Sequence, residues 1–173
     1  MEPTIKEIYF AGGCFWGTEK LFQSIHGVLD AESGYANGRQ EILPTYPRVC
    51  QGDTGYRETV KVRYDCTQVS LEQLLKAYFY VIDPTVEKRQ GNDIGDQYQT
   101  GIYYSDEASG QVVASYAAEE RKKYDKFAVE IAPLAVFHTA EDYHQDYLDK
   151  NPDGYCHVPR RIFSQINEVI GQE

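Results

Sequence analysis

Residues 56–65 alternate between two kinds of side chain, and this alternation constrains the fold more than any other feature of the sequence. Tyr56, Glu58, Val60, Val62 and Tyr64 share one face, and charged or polar side chains share the other. A period of two is that of a half-buried β-strand. Such strands are typical of antiparallel sheets with one solvated face. The apolar face also carries one carboxylate, that of Glu58.

The rest of the chain predicts helices that cover a sheet. Further strands are predicted at 5–10, 28–35, 101–104 and 129–137, the last bent at Pro133. Helices are predicted from Cys14, from a capping box at 70–73, over 107–127, over 139–149 and over 162–170. Because strands and helices alternate irregularly, an α+β sheet covered by helices is favoured over a doubly wound parallel sheet. No repeat or linker divides the chain, so residues 1–173 are expected to form one domain.

Charge and hydropathy restrict the classes of partner. The 173 residues carry a formal net charge of −10, which argues against general affinity for nucleic acid or anionic membranes. No apolar run approaches the length of a membrane span, and the N-terminal residues lack the layout of a signal peptide. A cytoplasmic protein is therefore expected.

Cysteine usage restricts the chemistry. The four cysteines lie at positions 14, 50, 66 and 156, and in a reducing compartment free thiols are expected. No Cys-x-x-Cys pair occurs, and no spacing of histidines and cysteines resembles a zinc-ligand set. We therefore expect neither a metal nor an organic cofactor.

Gly-Cys-Phe-Trp-Gly at 13–17 is the most informative stretch. A cysteine in a glycine turn at a helix N-terminus is exposed to the helix dipole, which favours the thiolate and predicts a lowered pKa for Cys14. Phe15 and Trp16, placed in or beside the turn, are candidates for an aromatic wall around an apolar group. A buried, inert cysteine with two core aromatics is the alternative, and spacing alone favours the nucleophile only slightly.

Two further residues could take part in catalysis. If the face of Glu58 is buried, desolvation raises its pKa and favours a neutral acid that can donate a proton. Without other information, however, a surface position near a frayed strand end is the better prediction. Cys156 lies in a turn-rich segment, where an exposed thiol suits a resolving cysteine. A bystander cysteine is the alternative there.

Three classes of function fit these residues. A Cys–His hydrolase or acyltransferase is one alternative, since four histidines are available to activate a thiol. A redox-sensing or binding module without turnover is another. A thiol-dependent reductase is the third, and dependence of turnover on a dithiol would separate it from the hydrolase.

Taken together, the motifs resemble those of the A-type peptide-methionine (S)-S-oxide reductases, over residues 10 to about 159. The signature at 13–17 is joined, in the family's order and approximate spacing, by four further motifs. These are Pro-Thr-Tyr at 44–46, Gly-Asp-Thr-Gly at 52–55, Asp-Pro-Thr at 83–85 and Gly-Asn-Asp at 91–93 with Gln-Tyr at 97–98.

The resemblance implies a fold, a reaction and roles for particular residues. The fold would be a two-layer α+β sandwich related to the ferredoxin-like plait, forming a single catalytic domain over 1–173, with 151–173 as a C-terminal segment carrying the resolving cysteine. The enzyme would reduce the S epimer of methionine sulfoxide, free or in oxidised proteins and peptides, as an expected monomer. Thioredoxin or another external dithiol would regenerate it. Cys14 would attack, Glu58 would supply the proton and Cys156 would resolve the sulfenic acid; the substrate would be bound by Phe15, Trp16, Tyr46, Asp93 and Tyr98.

The sequence departs from the family pattern at several positions. Tyr56 stands where a histidine is expected, and Arg57 follows it. One extra residue precedes Pro-Thr-Tyr, and Cys66 replaces a frequent proline. Cys50 occupies a position where relatives often carry a cysteine that does not resolve the sulfenic acid.

Overall fold

The computed structural model describes residues 2–172. Its strands are β1 Ile5–Ala11, β2 Val28–Ala36, β3 Arg57–Asp65, β4 Arg89–Gln90, β5 Asp93–Ile94, β6 Gly101–Tyr104, β7 Glu130–Pro133 and β8 Phe137–Thr139. Its α-helices are α1 Phe15–Gln23, α2 Tyr46–Val49, α3 Leu71–Val81, α4 Glu107–Arg121, α5 Tyr147–Lys150 and α6 Arg160–Val169. Two 3₁₀ turns lie at Asp96–Tyr98 and Asp142–His144.

Six strands form the main sheet, in the order β7-β6-β1-β3-β2-β8. Neighbouring strands of this sheet are antiparallel, except that β7 runs parallel to β6. In chain order the core reads β1-α1-β2-β3-α3-β6, which is the pattern of the ferredoxin-like plait. The expected α+β class is confirmed.

The hydrophobic core lies between one face of the sheet and the helices. The alternation in β3 places Val60 and Val62 in this core, with Phe10 of β1 stacked on Phe22 of α1. The capping box at the start of α3 is formed: the Ser70 hydroxyl accepts from the Gln73 amide, and the Gln73 side chain accepts from the Ser70 amide. Helix capping and the two-residue alternation of strands thus define the elements that carry the site.

The second face of the sheet corrects two expectations. Residues 129–137 do not form one bent strand, because β7 and β8 lie at opposite edges of the sheet. The chain between them crosses that face, where Leu134 and Phe137 pack on a cluster that includes Tyr9 and Tyr103. Consequently β3 is not simply half-exposed: Thr59, on its polar side, is fully buried.

Two helices are shorter than the sequence predicts. The helix expected over 107–127 ends at Arg121, and the following chain turns back to bring Val129 into the core. The helix expected over 139–149 is divided into a 3₁₀ turn and the short α5, because Asp146 between them adopts a left-handed conformation with φ of 54°. No helix within residues 2–172 is long and apolar enough to cross a membrane.

Candidate active site

Glu58 is buried where β3 passes beneath the start of α1. Its Oε1 accepts a hydrogen bond from the Phe15 amide at 3.2 Å. Its Oε2 is buried and has no hydrogen-bond partner within residues 2–172. Burial raises the pKa of Glu58 to about 8, so the carboxyl is mostly protonated at neutral pH. A protonated acid with one free oxygen can donate to an incoming acceptor.

Cys14 is the N-cap residue of α1, preceded by Gly13 at φ of +84°. A side chain at Gly13 would be strained by that φ, and its Cβ would stand 2.8 Å from Gln90. The expectation of a lowered pKa for Cys14 is wrong. Burial first, and then the nearby Glu58 carboxylate, raise the pKa of this thiol well above its usual value, and the Trp16 amide offsets only part of this.

The two aromatics of the motif differ in exposure. Phe15 is the first residue of α1, directly after the glycine turn, and its side chain is buried in the core. Trp16 is half-buried, and its ring stacks on Tyr147 with 3.7 Å between centroids. Its indole N–H donates to Nδ1 of His144 at 3.1 Å, which fixes the plane of the ring. Directly after Cys14 the chain therefore carries one aromatic ring in the core and a second ring that is half-buried.

Tyr46 and Tyr98 are brought to the same site from separate segments. Tyr46 opens α2, and Tyr98 ends the 3₁₀ turn at Asp96–Tyr98; both are half-buried. Burial and the nearby Glu58 carboxyl raise the pKa of both hydroxyls above the usual value. Both phenols therefore remain protonated and can act as hydrogen-bond donors.

Asp93 lies on β5 at the rim of this site. It is half-buried, and its Oδ2 accepts from the Tyr155 hydroxyl at 2.9 Å. Its charge is close enough to raise the pKa of both Cys14 and Glu58. The structure thus places Asp93 within electrostatic reach of the thiol and of Glu58.

The turn-rich segment of Cys156 predicts an exposed thiol, but the side chain packs against α1. It is half-buried, and its Sγ lies 3.2 Å from the position that a Cβ of Gly17 would occupy. Its thiol donates to the Val158 carbonyl at 3.2 Å. Because Gly17 lies one turn of helix from Cys14, the two thiols belong to one site, although no disulfide joins them in this structure.

Three supporting residues were not singled out from the sequence. Glu141 accepts from the Tyr46 amide at 2.8 Å and from the Tyr35 hydroxyl at 2.7 Å, and so holds the start of α2. His144 is buried among Phe15, Tyr46 and Trp16, while Tyr147 stacks on the indole. Their only signal was the acidic and aromatic composition of residues 141–147, which a surface helix could equally have.

The remaining cysteines differ from each other. Cys50 is exposed at the end of α2, beside Tyr46 and Gln97. Cys66 follows β3, and its amide donates to the Thr4 carbonyl. Within the part of the chain that the structure describes, no three histidine, cysteine or acidic side chains lie close enough to hold a metal ion.

The arrangement combines five features. A thiol faces a neutral carboxylic acid, two phenol donors lie beside them, and an aromatic wall closes one side. A second thiol packs on the same helix. A site of this kind suits the transfer of oxygen from a polar substrate to sulfur, followed by formation of a disulfide.

Comparison with known proteins agrees with this chemistry. The sequence profile described as "Peptide methionine sulfoxide reductase" matches residues 6–170. The MsrA of Lachnoclostridium phytofermentans is 53% identical over 165 residues, which are 95% of this chain and 99% of that protein. The crystal structure of Mxr1 from Saccharomyces cerevisiae in reduced form superposes with a TM-score of 0.85 at 38% identity, covering 90% of this chain and 91% of the other.

A second solved structure contains a partner. Mxr1 from Saccharomyces cerevisiae in complex with Trx2 superposes with a TM-score of 0.60 at 25% identity, covering 85% of this chain and 89% of that one. The match to the family profile extends over nearly the whole chain, and identity to a full-length relative exceeds half. The chain therefore belongs to the MsrA family and is a peptide methionine sulfoxide reductase.

Proposed function

We propose that the enzyme reduces the S epimer of methionine sulfoxide, free or within oxidised proteins and peptides, with Cys14 as the nucleophile. The observation that carries this proposal is the free, buried Oε2 of a protonated Glu58 beside the Cys14 thiol. A sulfoxide oxygen must be protonated before its bond to sulfur breaks. A buried neutral carboxyl supplies that proton where water cannot.

The substrate would be oriented by the groups that surround this acid. The hydroxyls of Tyr46 and Tyr98 would donate hydrogen bonds to the sulfoxide oxygen, and Asp93 would maintain the polar network at the rim. Phe15 and Trp16 would hold the S-methyl group. An enclosed methyl site and fixed oxygen donors define a handed pocket, which is the physical basis for preferring one epimer.

The raised pKa of Cys14 makes proton movement part of the attack. The thiol would lose its proton as its sulfur attacks, while Glu58 passes its own proton to the sulfoxide oxygen and then takes up the thiol proton, so that no charge accumulates in the buried site. The oxygen would move to Cys14, giving methionine and a cysteine sulfenic acid. Neutral Glu58 also avoids the repulsion that its carboxylate exerts on the thiolate.

Regeneration would use the second thiol of the site. Cys156 would condense with the sulfenic acid to form a disulfide, which an external dithiol such as thioredoxin would reduce. The complex of Mxr1 with Trx2 supports this partner. A reducing compartment such as the cytoplasm would supply it. The hydrolase alternative loses its basis, because the family is established and Cys14 shares no hydrogen bond with any histidine ring among residues 2–172.

Single-turnover assays on the two separated epimers test this function. Glu58→Gln keeps the shape but cannot act as an acid, so methionine release from the S epimer should slow by roughly 10²–10⁴-fold. Cys14→Ser should release none. Glu119→Gln, on the exposed side of α4, is the matched control and should react as the wild type does.

Three results would contradict the proposal. An unchanged single-turnover rate in Glu58→Gln would show that the oxygen receives its proton from another group. Equal rates for both epimers in the wild type would refute the stereochemical assignment. Methionine release by Cys14→Ser would remove the nucleophile.

A further inference from the structure

His157 is a partly buried histidine beside the site to which the reduction step assigns no role. Both of its ring nitrogens are buried, and neither has a hydrogen-bond partner among residues 2–172. Two unpaired nitrogens in a buried ring cost free energy, so their position calls for an explanation. The carbonyl of Gly12 lies close enough to raise the pKa of the ring, but not in hydrogen-bonding geometry.

The ring lies against the glycine turn and the first turn of α1, next to the residues that carry the two thiols. Its Nε2 is 3.5 Å from the place of a Gly13 Cβ, directly before Cys14, and its Nδ1 is 3.2 Å from the place of a Gly17 Cβ. The Sγ of Cys156 is also 3.2 Å from that second point. The imidazole and the Cys156 thiol therefore both pack on Gly17. A side chain at Gly17 would crowd both groups.

The charges around the ring favour its neutral form. Burial lowers the pKa of His157 below its usual value, and the carboxylate of Asp93 offsets part of this. Burial raises the pKa of the Cys156 thiol, although its hydrogen bond to Val158 and the positive Arg160 act in the opposite direction. At neutral pH a neutral imidazole and a protonated thiol are thus both packed on Gly17.

We propose that His157 accepts the proton of Cys156 when this thiol attacks the sulfenic acid at Cys14. The inference rests on the proposed function, which supplies the sulfenic acid. The Cys156 thiol turns from the Val158 carbonyl and gives its proton to the imidazole. Its sulfur then bonds to that of Cys14, the sulfur–oxygen bond breaks, and the oxygen leaves as water with the proton returned by the imidazolium. Cys156 is oxidised and Cys14 is reduced from the sulfenic to the disulfide level.

The predicted signature is the pH dependence of disulfide formation after one equivalent of sulfoxide. In the wild type, neutral His157 removes the proton, so the rate should change little between pH 7 and about 8.5. In His157→Asn the attack must await the free thiolate of Cys156, whose fraction rises about tenfold per pH unit below the thiol pKa. At pH 7 the variant should form the bridge at least about tenfold more slowly.

The methionine burst serves as the internal control for folding and for the pocket, and it should keep its wild-type rate. His26→Asn, at an exposed histidine after α1, is the matched substitution and should leave the disulfide step unchanged. Bridge formation at the wild-type rate in His157→Asn would overturn the inference. Slowing by one constant factor at every pH would also overturn it, because loss of packing alone gives that result.

Failure of the proposed function would look different. If the wild type forms no Cys14–Cys156 bridge, or if Cys156→Ser keeps full thioredoxin-supported turnover, the recycling route itself is wrong. If the bridge forms and only the effect of His157→Asn is missing, the recycling route stands and the proton acceptor lies elsewhere.

Discussion

At the scale of single residues, the buried Glu58 carboxyl lowers the stability of the folded chain, although the proposed reaction requires it. A carboxyl that is buried with one oxygen unpaired destabilises the folded chain, and its neutral form is the less costly one. Strand periodicity puts Glu58 on the apolar face, but its nearness to the strand end favours a surface position, and that prediction is wrong because the side chain is buried. The pKa of Cys14 was predicted with the wrong sign, because a motif reveals the helix start but not the depth of burial that outweighs the dipole.

The folded state should hold the Glu58 proton over a pH range where the unfolded chain has lost it. The pKa is about 8 when folded and about 4.3 when unfolded. The free energy of unfolding should therefore fall as the pH rises from about 4.5 to 8. Glu58→Gln should flatten much of this slope and be the more stable protein at pH 8. Glu19, whose pKa burial raises to about 7, retains part of the slope in the variant.

Urea unfolding at pH 5.5 and pH 8 measures this difference directly. The wild type should lose stability between the two pH values by more than Glu58→Gln does. Parallel pH profiles for the two proteins would show that Glu58 is ionised in the folded state, contrary to the prediction.

At the scale of elements, the site depends on short segments that local sequence does not specify. The two-residue alternation predicts β3 and the capping box predicts α3. The turn that carries Tyr98 is instead positioned by a residue that is distant in the sequence. Arg57 of β3 donates to the Asp96 carbonyl at 2.9 Å and pairs with its carboxylate at 3.2 Å. Glu130 of β7 holds the same guanidinium at 3.0 Å. No pattern within one element reveals such a clamp.

Removing the clamp should weaken catalysis through Tyr98. Arg57→Ala should lower the single-turnover rate by about tenfold, since the phenol loses its fixed position relative to the sulfoxide oxygen. Arg57→Lys should recover only part of the rate, because an ammonium cannot bind both carboxylates and the carbonyl in one plane.

A double-mutant cycle with Tyr98→Phe separates this route from a general loss of stability. If Arg57 acts through Tyr98, its removal should cost almost nothing once the hydroxyl is gone. Additive losses in the double variant would show that Arg57 acts elsewhere.

At the scale of the whole molecule, the stretch from β7 to β8 connects the two edges of the sheet. The sequence predicted one strand here because β propensity is local, whereas the choice of edge depends on pairing with β6 and β2. Asn37, just after β2, holds the crossing: its Oδ1 accepts from the Ala135 amide at 2.7 Å and its Nδ2 donates to the Pro133 carbonyl at 3.1 Å. Its φ of 55° suits asparagine.

Loss of this side chain should destabilise the fold without changing the site on the other face. Asn37→Ala removes the hydrogen bonds and strains the backbone, and should cost about 2–3 kcal/mol in urea unfolding. Asn37→Gly removes the hydrogen bonds, but glycine adopts the positive φ without strain, so this variant should lose less stability. Equal stability of all three proteins would show that packing of Leu134 and Phe137 holds the crossing by itself.

The crossing has a further consequence for how the molecule meets other chains. The outermost strands of the sheet are the two short ones, four residues in β7 and three in β8, and β7 ends in Pro133. Short edges with a proline offer few free amides and carbonyls for an added strand. An enzyme proposed to act on oxidised, partly unfolded proteins meets many extended segments. Its own sheet gives such segments little opportunity to pair and aggregate, whatever the reaction at the proposed site requires.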